Sequence, residues 1–203
     1  IFGLIQGFLV MFNKRSNWIA YIIQMLFLIL FSLSMNLYGD VVNNSVYFIF
    51  GIIGFILWNK NDSKKIAKCS SKERIIYISL ICIFTIIVYS FLITTDDPLP
   101  LLDAFTTVSS LVATYYMITK KIDAWIIWSI NDVFYAIEYY ILPDQAIYLF
   151  LLNVVWCFMA VGSYINWYRI MNKDTENSKK IFERLKFEKK EKAIKKRKES
   201  MII

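Results

Sequence analysis

The stretch IIYISLICIFTIIVYSFLI, residues 75–93, decides the fold class because it contains no charged side chain. At a rise of about 1.5 Å per residue, a helix of this length extends roughly 28 Å, close to the ~30 Å hydrocarbon core of a bilayer. In lipid, an α-helix satisfies its own backbone hydrogen bonds. The stretch therefore predicts a transmembrane helix.

Similar apolar runs lie on both sides of residues 75–93. Together they predict an all-α integral membrane protein with about seven transmembrane helices, in the ranges 1–12, 18–35, 41–58, 75–93, 101–119, 124–141 and 146–167. The first run is too short to cross a bilayer, so we expect its helix to be truncated at its start. Hydrophobic residues make up 58% of the chain and the mean hydropathy is +0.49, which exceeds the values of ordinary soluble domains.

Charged residues are concentrated in the connections, where their sign alternates. Basic residues dominate at 14–15, 60–74 and 120–121 and in the tail, whereas the connections between them contain Asp40, Asp96, Asp97 and Asp144. Because short basic loops stay in the cytoplasm, this pattern predicts a multi-pass protein of the cytoplasmic membrane. Its N-terminus is expected outside and its C-terminus in the cytoplasm.

The first and last parts of the chain resemble each other at a nearly constant offset. Anchors and polar residues recur in the following pairs: Met11 with Met117, Trp18 with Trp125, Tyr21 with Trp128, Gln24 with Asn131, Asn44 within one residue of Asn153, and Gly54 with Gly162. The basic pair at 14–15 likewise matches the pair at 120–121. Polar residues therefore recur at matched depths, which indicates an internal duplication.

The helix at 75–93 has no counterpart in this duplication. With an odd helix between them, the first helices of the two three-helix units run in the same direction, which predicts parallel repeats in a SWEET-like 3+1+3 arrangement. The predicted repeats are residues 1–59 and 101–170. Residues 60–100 form a basic cytoplasmic loop and linker helix, and residues 171–203 form a basic cytoplasmic tail. Transporters of this type bind substrate near the midplane, between the repeats.

One helix face in the run 124–141 combines aromatic rings with an acid. Trp125, Trp128, Asp132 and Tyr135 are spaced three and four residues apart and share this face. Counted from Lys121, Asp132 lies roughly 15 Å deep, near the bilayer centre. A carboxylate there costs about 2.5 to 3.5 kcal/mol even on the lower scales, so it indicates a polar pathway. A buried acid that bonds a neighbouring helix is the alternative interpretation.

The remaining candidate residues are mostly intramembrane amides. Amides offer donors and acceptors that suit sugar hydroxyls, although hydrogen bonds between helices are an equal alternative. Deep aromatic rings suit a flat, cationic or electron-poor ring. These criteria add the following residues to the predicted substrate site: Tyr21, Gln24, Asn44, Asn131, Asn153 and Trp156. Glu138, nearer the outer end, is interpreted as a vestibule or snorkelling residue.

The composition argues against most enzyme classes. Histidine is absent, which removes catalytic triads and zinc-hydrolase chemistry. The three cysteines, Cys69, Cys82 and Cys157, lack CxxC spacing, and neither a P-loop nor a metal-ligand cluster is present. We therefore predict that the protein is not an enzyme and uses no cofactor or metal.

The tail beyond Asn172 is strongly basic. We interpret it as a solvated helix that rests on an anionic membrane leaflet. Nucleic-acid binding is a weaker alternative, since no aromatic residues are interleaved so as to stack on bases. A membrane anchor whose tail recruits a cytoplasmic partner is an alternative function for the whole chain.

Three segments carry a family resemblance: NLYGDVVNNSVYF at 36–48, LLDAFTTVSSLVAT at 101–114 and DAWIIWSIND at 123–132. They resemble segments of the PnuC family of bacterial vitamin-precursor transporters. The family's WxxW motif with its following polar residue matches Trp125, Trp128 and either Asn131 or Asp132. Its YGD motif with a following Asn matches residues 38–40 and Asn44.

This resemblance implies a function and partners. Family members have seven helices in two parallel three-helix units, and they take up nicotinamide riboside, or thiamine or riboflavin in relatives. It implies facilitated diffusion with alternating access, followed by trapping through a cytoplasmic kinase that phosphorylates the substrate. The expected partners are thus a small molecule, the lipid bilayer and that kinase. The sequence leaves a homo-oligomer open.

Overall fold

The computed structural model describes residues 2–34, 38–60, 65–95, 97–141 and 147–200, with the side chains of 38–40, 59–60, 148 and 189–200 left out of the description. Seven helices occupy these ranges: α1 (Phe2–Met11), α2 (Asn17–Ser34), α3 (Tyr38–Lys60), α4 (Ser71–Leu92), α5 (Pro100–Ile118), α6 (Ala124–Ile141) and α7 (Ile147–Ser200). The only β-pairing in these ranges is an isolated parallel bridge between Ala67 and Lys121. The predicted acidic positions Asp96 and Asp144 and the side chains of the YGD motif lie outside the described residues.

Five helices, α2, α3, α4, α5 and α7, are long and apolar enough to cross a membrane. Helix α6 has a comparable length but contains Asn131, Asp132 and Glu138, and α1 has ten residues. In α4 the buried residue is Thr85, and many large apolar side chains, such as those of Ile78, Ile86 and Phe91, are more than half exposed, as expected for a helix that largely faces lipid. The all-helical, multi-pass membrane architecture expected from the sequence is confirmed.

The last helix differs from the predicted run at 146–167, because α7 continues to Ser200. The tail contains neither glycine nor proline, the residues that most often end a helix. By packing, the chain divides into two compact units, Ile1–Trp167 and Tyr168–Ile203. Within the second unit, Lys180 pairs with Glu176 and Arg184 with Glu188, at a spacing that supports a solvated helix.

The connections α1–α2 and α5–α6 have the same backbone structure. Asn13 and Lys120 both adopt left-handed conformations, with φ of 53° and 56°. The next residue in each connection, Lys14 or Lys121, donates its N–H to a carbonyl in the last turn of the preceding helix. Asn13 and Lys120 are separated by the same 107 residues as Trp18 and Trp125, one more than the offset that pairs residues 14–15 with 120–121. Helices α1 and α5 therefore end in the same kind of tight turn, and α2 and α6 begin directly after it.

Helix α4 is attached at its start to the α5–α6 connection. The Asp123 carboxylate accepts hydrogen bonds from the Cys69 backbone N–H at 2.7 Å and from Arg74 Nε at 2.8 Å. The bridge between Ala67 and Lys121 lies beside this contact. A capping box between Ser70 and Glu73 starts the helix. The linker helix is thereby joined to α5 and α6.

Four tryptophans form the core at the end of the first unit that contains the basic connections α1–α2 and α5–α6. Trp18 packs edge to face on Trp58 with ring centroids 5.6 Å apart, and Trp125 packs in the same way on Trp167 at 5.3 Å. Trp58 and Trp167 join the two pairs. Gly54 allows this packing, because a Cβ there would lie 2.5 Å from the Trp18 ring. We call these four residues the tryptophan cluster.

Candidate functional site

A cavity of about 280 Å³ lies inside the first unit. Residues from every helix except α4 line it. Small-molecule sites in proteins usually measure about 300 to 1,000 Å³, so this cavity suits a small ligand. Helix α4, expected from the sequence to act as a linker, does not contribute to the lining.

Most of the sequence-predicted site residues meet at this cavity. Eight of them line it: Tyr21, Gln24, Asn44, Trp125, Trp128, Asp132, Asn153 and Trp156. They come from α2, α3, α6 and α7, so side chains separated by more than a hundred residues converge. The ninth, Asn131, is not among the lining residues.

Asn131 is instead held between α6 and α5. Its side chain is fully buried, accepts a hydrogen bond from Ser109 Oγ at 2.6 Å and donates to the Thr106 carbonyl at 3.4 Å. Successive residues on a helix point about 100° apart, so Asn131 and Asp132 do not share a direction. In the described structure Asp132 faces the cavity, and the amide of Asn131 is used in helix packing.

Asp132 is the only formally charged residue that lines the cavity among the described residues. It is 6% exposed, and the ion pairs of the described chain all lie elsewhere, near the start of α4 or in the second unit. A buried carboxylate is costly unless a cation or hydrogen-bond donors compensate it. The cavity is therefore suited to a ligand with positive charge.

Aromatic rings line the same cavity as this carboxylate. Trp128 and Trp125 line the cavity one and two turns before Asp132 on α6, respectively, and Trp156 lines it from α7. Trp156 packs closely on α1 at Gly7, where a Cβ would lie 2.6 Å from the ring. The Trp125 indole N–H has no hydrogen-bond partner within the described chain. Flat rings with a negative face suit a planar or cationic ligand.

Several lining residues were not predicted from the sequence. Gln6 of α1, Tyr47 of α3 and Ser110 of α5 reach the cavity, and the Tyr47 hydroxyl bonds Ser110 Oγ across two helices. Tyr47 follows Asn44 by three residues, so a shared helix face was the available signal. Gln6 is an intramembrane amide like Gln24, in the short first run.

Glu138 and the cysteines lie outside the cavity lining. Glu138 is 7% exposed, and one of its carboxylate oxygens has no partner within the described residues. This burial does not fit the snorkelling interpretation. Among the described residues there is no group of three or more acidic, cysteine or histidine side chains arranged to hold a metal ion.

Comparisons with known proteins agree with this architecture. The nicotinamide riboside transporter PnuC of Neisseria mucosa is 23% identical over 175 residues, which cover 79% of this chain and 66% of the relative. The chain thus spans just under two thirds of that protein. The crystal structure of the vitamin B3 transporter PnuC superposes with a TM-score of 0.68 at 20% identity, covering 85% of this chain and 80% of that chain, which shows a shared fold.

The family itself is recognised over most of the chain. The family model described as nicotinamide mononucleotide transporter matches residues 1–169, a range that includes every residue that lines the cavity. The resemblance to PnuC proteins noted in the sequence is confirmed. This chain therefore belongs to the nicotinamide mononucleotide transporter family.

Proposed function

We propose that this protein is a membrane carrier for nicotinamide riboside, which it takes up by facilitated diffusion. The observation that carries the proposal is the Asp132 carboxylate, buried in the cavity on the same α6 face as Trp125 and Trp128. The nicotinamide ring of the riboside is flat and positively charged. Stacking and cation–π attraction by the indoles, together with the nearby carboxylate, would compensate this charge away from water.

The charge of the cavity favours the nucleoside over the mononucleotide. A phosphate group adds negative charge, and proteins bind phosphate with arginine, lysine or helix N-termini. The described lining contains Asp132 and no lysine or arginine. The mononucleotide would therefore bring its phosphate near an uncompensated carboxylate.

Polar side chains around the cavity suit the ribose. Gln24, Asn44 and Asn153 supply amide groups, and the hydrogen-bonded pair of Tyr47 and Ser110 supplies hydroxyls. Each of these groups both donates and accepts hydrogen bonds, as sugar hydroxyls do. We assign ring binding to the indoles, charge compensation to Asp132, and ribose binding to the amides and hydroxyls.

Alternating access between two parallel repeats is part of this proposal. The repeats are residues 1–59 and 101–170, joined by the loop and linker helix at 60–100 and followed by the tail at 171–203. The matching turns at Asn13 and Lys120 and the matching pairs within the tryptophan cluster support the duplication. Rocking of the repeats about the ligand would open the cavity to each side in turn.

The proposed membrane orientation is based on the basic connections. Arg15 and Lys120 lie at the end of the first unit that holds the tryptophan cluster, where Lys120 Nζ lies 4.7 Å from the Trp58 ring centroid. By the positive-inside rule this end faces the cytoplasm. There a kinase would phosphorylate the released nucleoside and prevent its return.

Binding measurements on two variants test the site. We expect Asp132→Asn and Trp128→Ala to weaken nicotinamide riboside binding to the purified protein by roughly 10- to 100-fold, since a charge-assisted or stacking contact contributes about 1.5 to 3 kcal/mol. Asp103→Asn is the matched control, because it removes a carboxylate that does not line the cavity. Unchanged affinity in both site variants would contradict the assignment.

Thiamine is a second candidate, because its thiazolium ring is also flat and cationic and would meet the same carboxylate. A thermal-shift comparison of nicotinamide riboside, nicotinamide mononucleotide, thiamine and riboflavin distinguishes the ligands, since a ligand that binds the folded state stabilises it. The largest stabilisation is expected from nicotinamide riboside. If no ligand stabilises the protein and no uptake occurs in vesicles, an anchor with a recruiting tail becomes the better interpretation.

A further inference from the structure

The second unit, residues 168–203, has an exposed apolar surface. Ile181, Phe182 and Leu185 are each more than half exposed. Their spacing of one, three and four residues puts them on one face of the helix. We call these three residues the apolar patch. The unit itself leaves this patch uncovered.

Basic residues flank the apolar patch on both sides. At about 100° per residue, Arg184 lies about 100° to one side of the patch and Lys186 about 100° to the other. Lys180 precedes Arg184 by one turn, and Lys179 precedes Lys186 by two turns. Glu183 points away from the patch, toward the opposite face. An apolar stripe bordered by basic residues is typical of helices that lie in a membrane interface.

The charge of this unit complements an anionic surface. Residues 172–203 contain twelve basic and six acidic residues, so they account for almost all of the net charge of +7. The ion pairs of Lys180 with Glu176 and of Arg184 with Glu188 are largely exposed to solvent. Exposed pairs of this kind are weak, so lipid phosphates can compete for both cations.

We propose that the second unit docks through the apolar patch on an anionic phospholipid surface, which requires α7 to bend between its membrane-spanning part and Ile181. Ile181, Phe182 and Leu185 enter the boundary between headgroups and acyl chains, and the flanking lysines and arginine contact lipid phosphates. A coiled coil with a second copy would need an apolar seam that continues for several turns. Beyond Leu185 the corresponding positions are Lys189 and Lys192, so the sequence does not continue such a seam.

Limited proteolysis of the full chain tests this docking. The protein is reconstituted in nanodiscs of phosphatidylcholine alone or of phosphatidylcholine with phosphatidylglycerol, and trypsin cleavage of the tail is followed by intact mass. We expect cleavage to be several-fold slower in the anionic discs and to recover at high salt, because salt screens the attraction. A soluble trypsin substrate in the same mixtures corrects for any effect of lipid on the protease.

Two variants separate docking by the apolar patch from simple charge attraction. Phe182→Ser with Leu185→Ser should abolish the protection in anionic discs. Phe187→Ser should retain it, because Phe187 is exposed to a similar degree but lies on a different side of the helix. Equal cleavage in both types of disc would overturn the proposal, and so would protection that survives the double substitution. Protection in neutral discs that depends on two copies per disc would also overturn it, in favour of self-association. None of these measurements depends on transport.

Discussion

Trp58 and Trp167 meet in the tryptophan cluster with ring centroids 6.1 Å apart, and each donates its indole N–H to a helix of the other half of the chain. Trp58 Nε1 bonds the Ile118 carbonyl at the end of α5 at 3.0 Å, and Trp167 Nε1 bonds the Val10 carbonyl at the end of α1 at 2.9 Å. The two hydrogen bonds are therefore reciprocal. They close the end of the bundle that we assign to the cytoplasm.

Trp58→Phe is expected to favour opening of the cytoplasmic side. Phenylalanine keeps an aromatic ring but loses the N–H donor, and a hydrogen bond contributes about 1 kcal/mol, or roughly a fivefold change in population. The measurement is the labelling rate of a cysteine introduced at the cavity residue Met117, with an impermeant maleimide applied from the cytoplasmic side to a variant without native cysteines.

Trp18→Phe provides a matched control for this experiment. The Trp18 indole N–H has no partner within the described chain, so its loss removes no hydrogen bond. The labelling rate of Met117→Cys should then stay near the rate measured when all four residues of the tryptophan cluster are retained. Equal acceleration by both substitutions would mean that ring volume, and not the reciprocal hydrogen bonds, keeps this end closed.

Gly54→Ala is expected to destabilise the protein by about 1 to 3 kcal/mol, as overpacked sites do. The new Cβ would lie 2.5 Å from the ring of Trp18, which is fully buried. Gly162→Ala, at the position that the proposed duplication matches with Gly54, meets the flexible end of Met11 at 3.2 Å. Thermal unfolding in one detergent should therefore show a clear loss for Gly54→Ala and little change for Gly162→Ala.

Asn131→Ala is expected to lower stability while it leaves ligand affinity nearly unchanged. The substitution removes a buried amide that bonds Ser109 and the Thr106 carbonyl, and interhelical hydrogen bonds in membranes contribute about 0.6 to 1.7 kcal/mol. Gln24→Ala, at the position that the proposed duplication matches with Asn131, should weaken binding and leave stability nearly unchanged, because Gln24 lines the cavity. Binding and thermal unfolding of both variants check this. If Asn131→Ala weakens binding and leaves stability unchanged, Asn131 contributes to ligand binding after all.

Asp123→Asn is expected to loosen the attachment of α4. Asparagine can still accept the Cys69 N–H but loses the ion pair with Arg74, whose side chain is 49% exposed. Solvent screening limits the expected loss to about 1 kcal/mol, and it should shrink as salt rises. Thermal unfolding at low and high salt measures the effect. Glu73→Gln removes the ion pair with Lys121 and should have a smaller effect, because the Glu73 side chain is more exposed than that of Asp123. An equal effect of the two substitutions would argue against Asp123 as the main contact.

The membrane fold and most of the candidate-site residues could be predicted from local patterns in the sequence. Long uncharged runs are sufficient to predict helices in lipid, because the bilayer leaves the backbone few other structures. The α6 face with Trp125, Trp128 and Asp132 followed from helical spacing alone. The tail was predicted to be a solvated helix, and α7 includes it, but the continuity of this helix with the last apolar run was not predicted.

The sequence by itself determined that the chain is helical, that it belongs in a bilayer and that an acid and several amides lie at the depth of the hydrocarbon core. Hydropathy and spacing are local properties, so no partner contact is needed to establish them. The tertiary structure decided that Asp132 faces the cavity while Asn131 bonds Ser109. It also brought Tyr47 to Ser110 and Trp58 to Ile118, since the direction of a side chain becomes a contact only when a second helix packs against it.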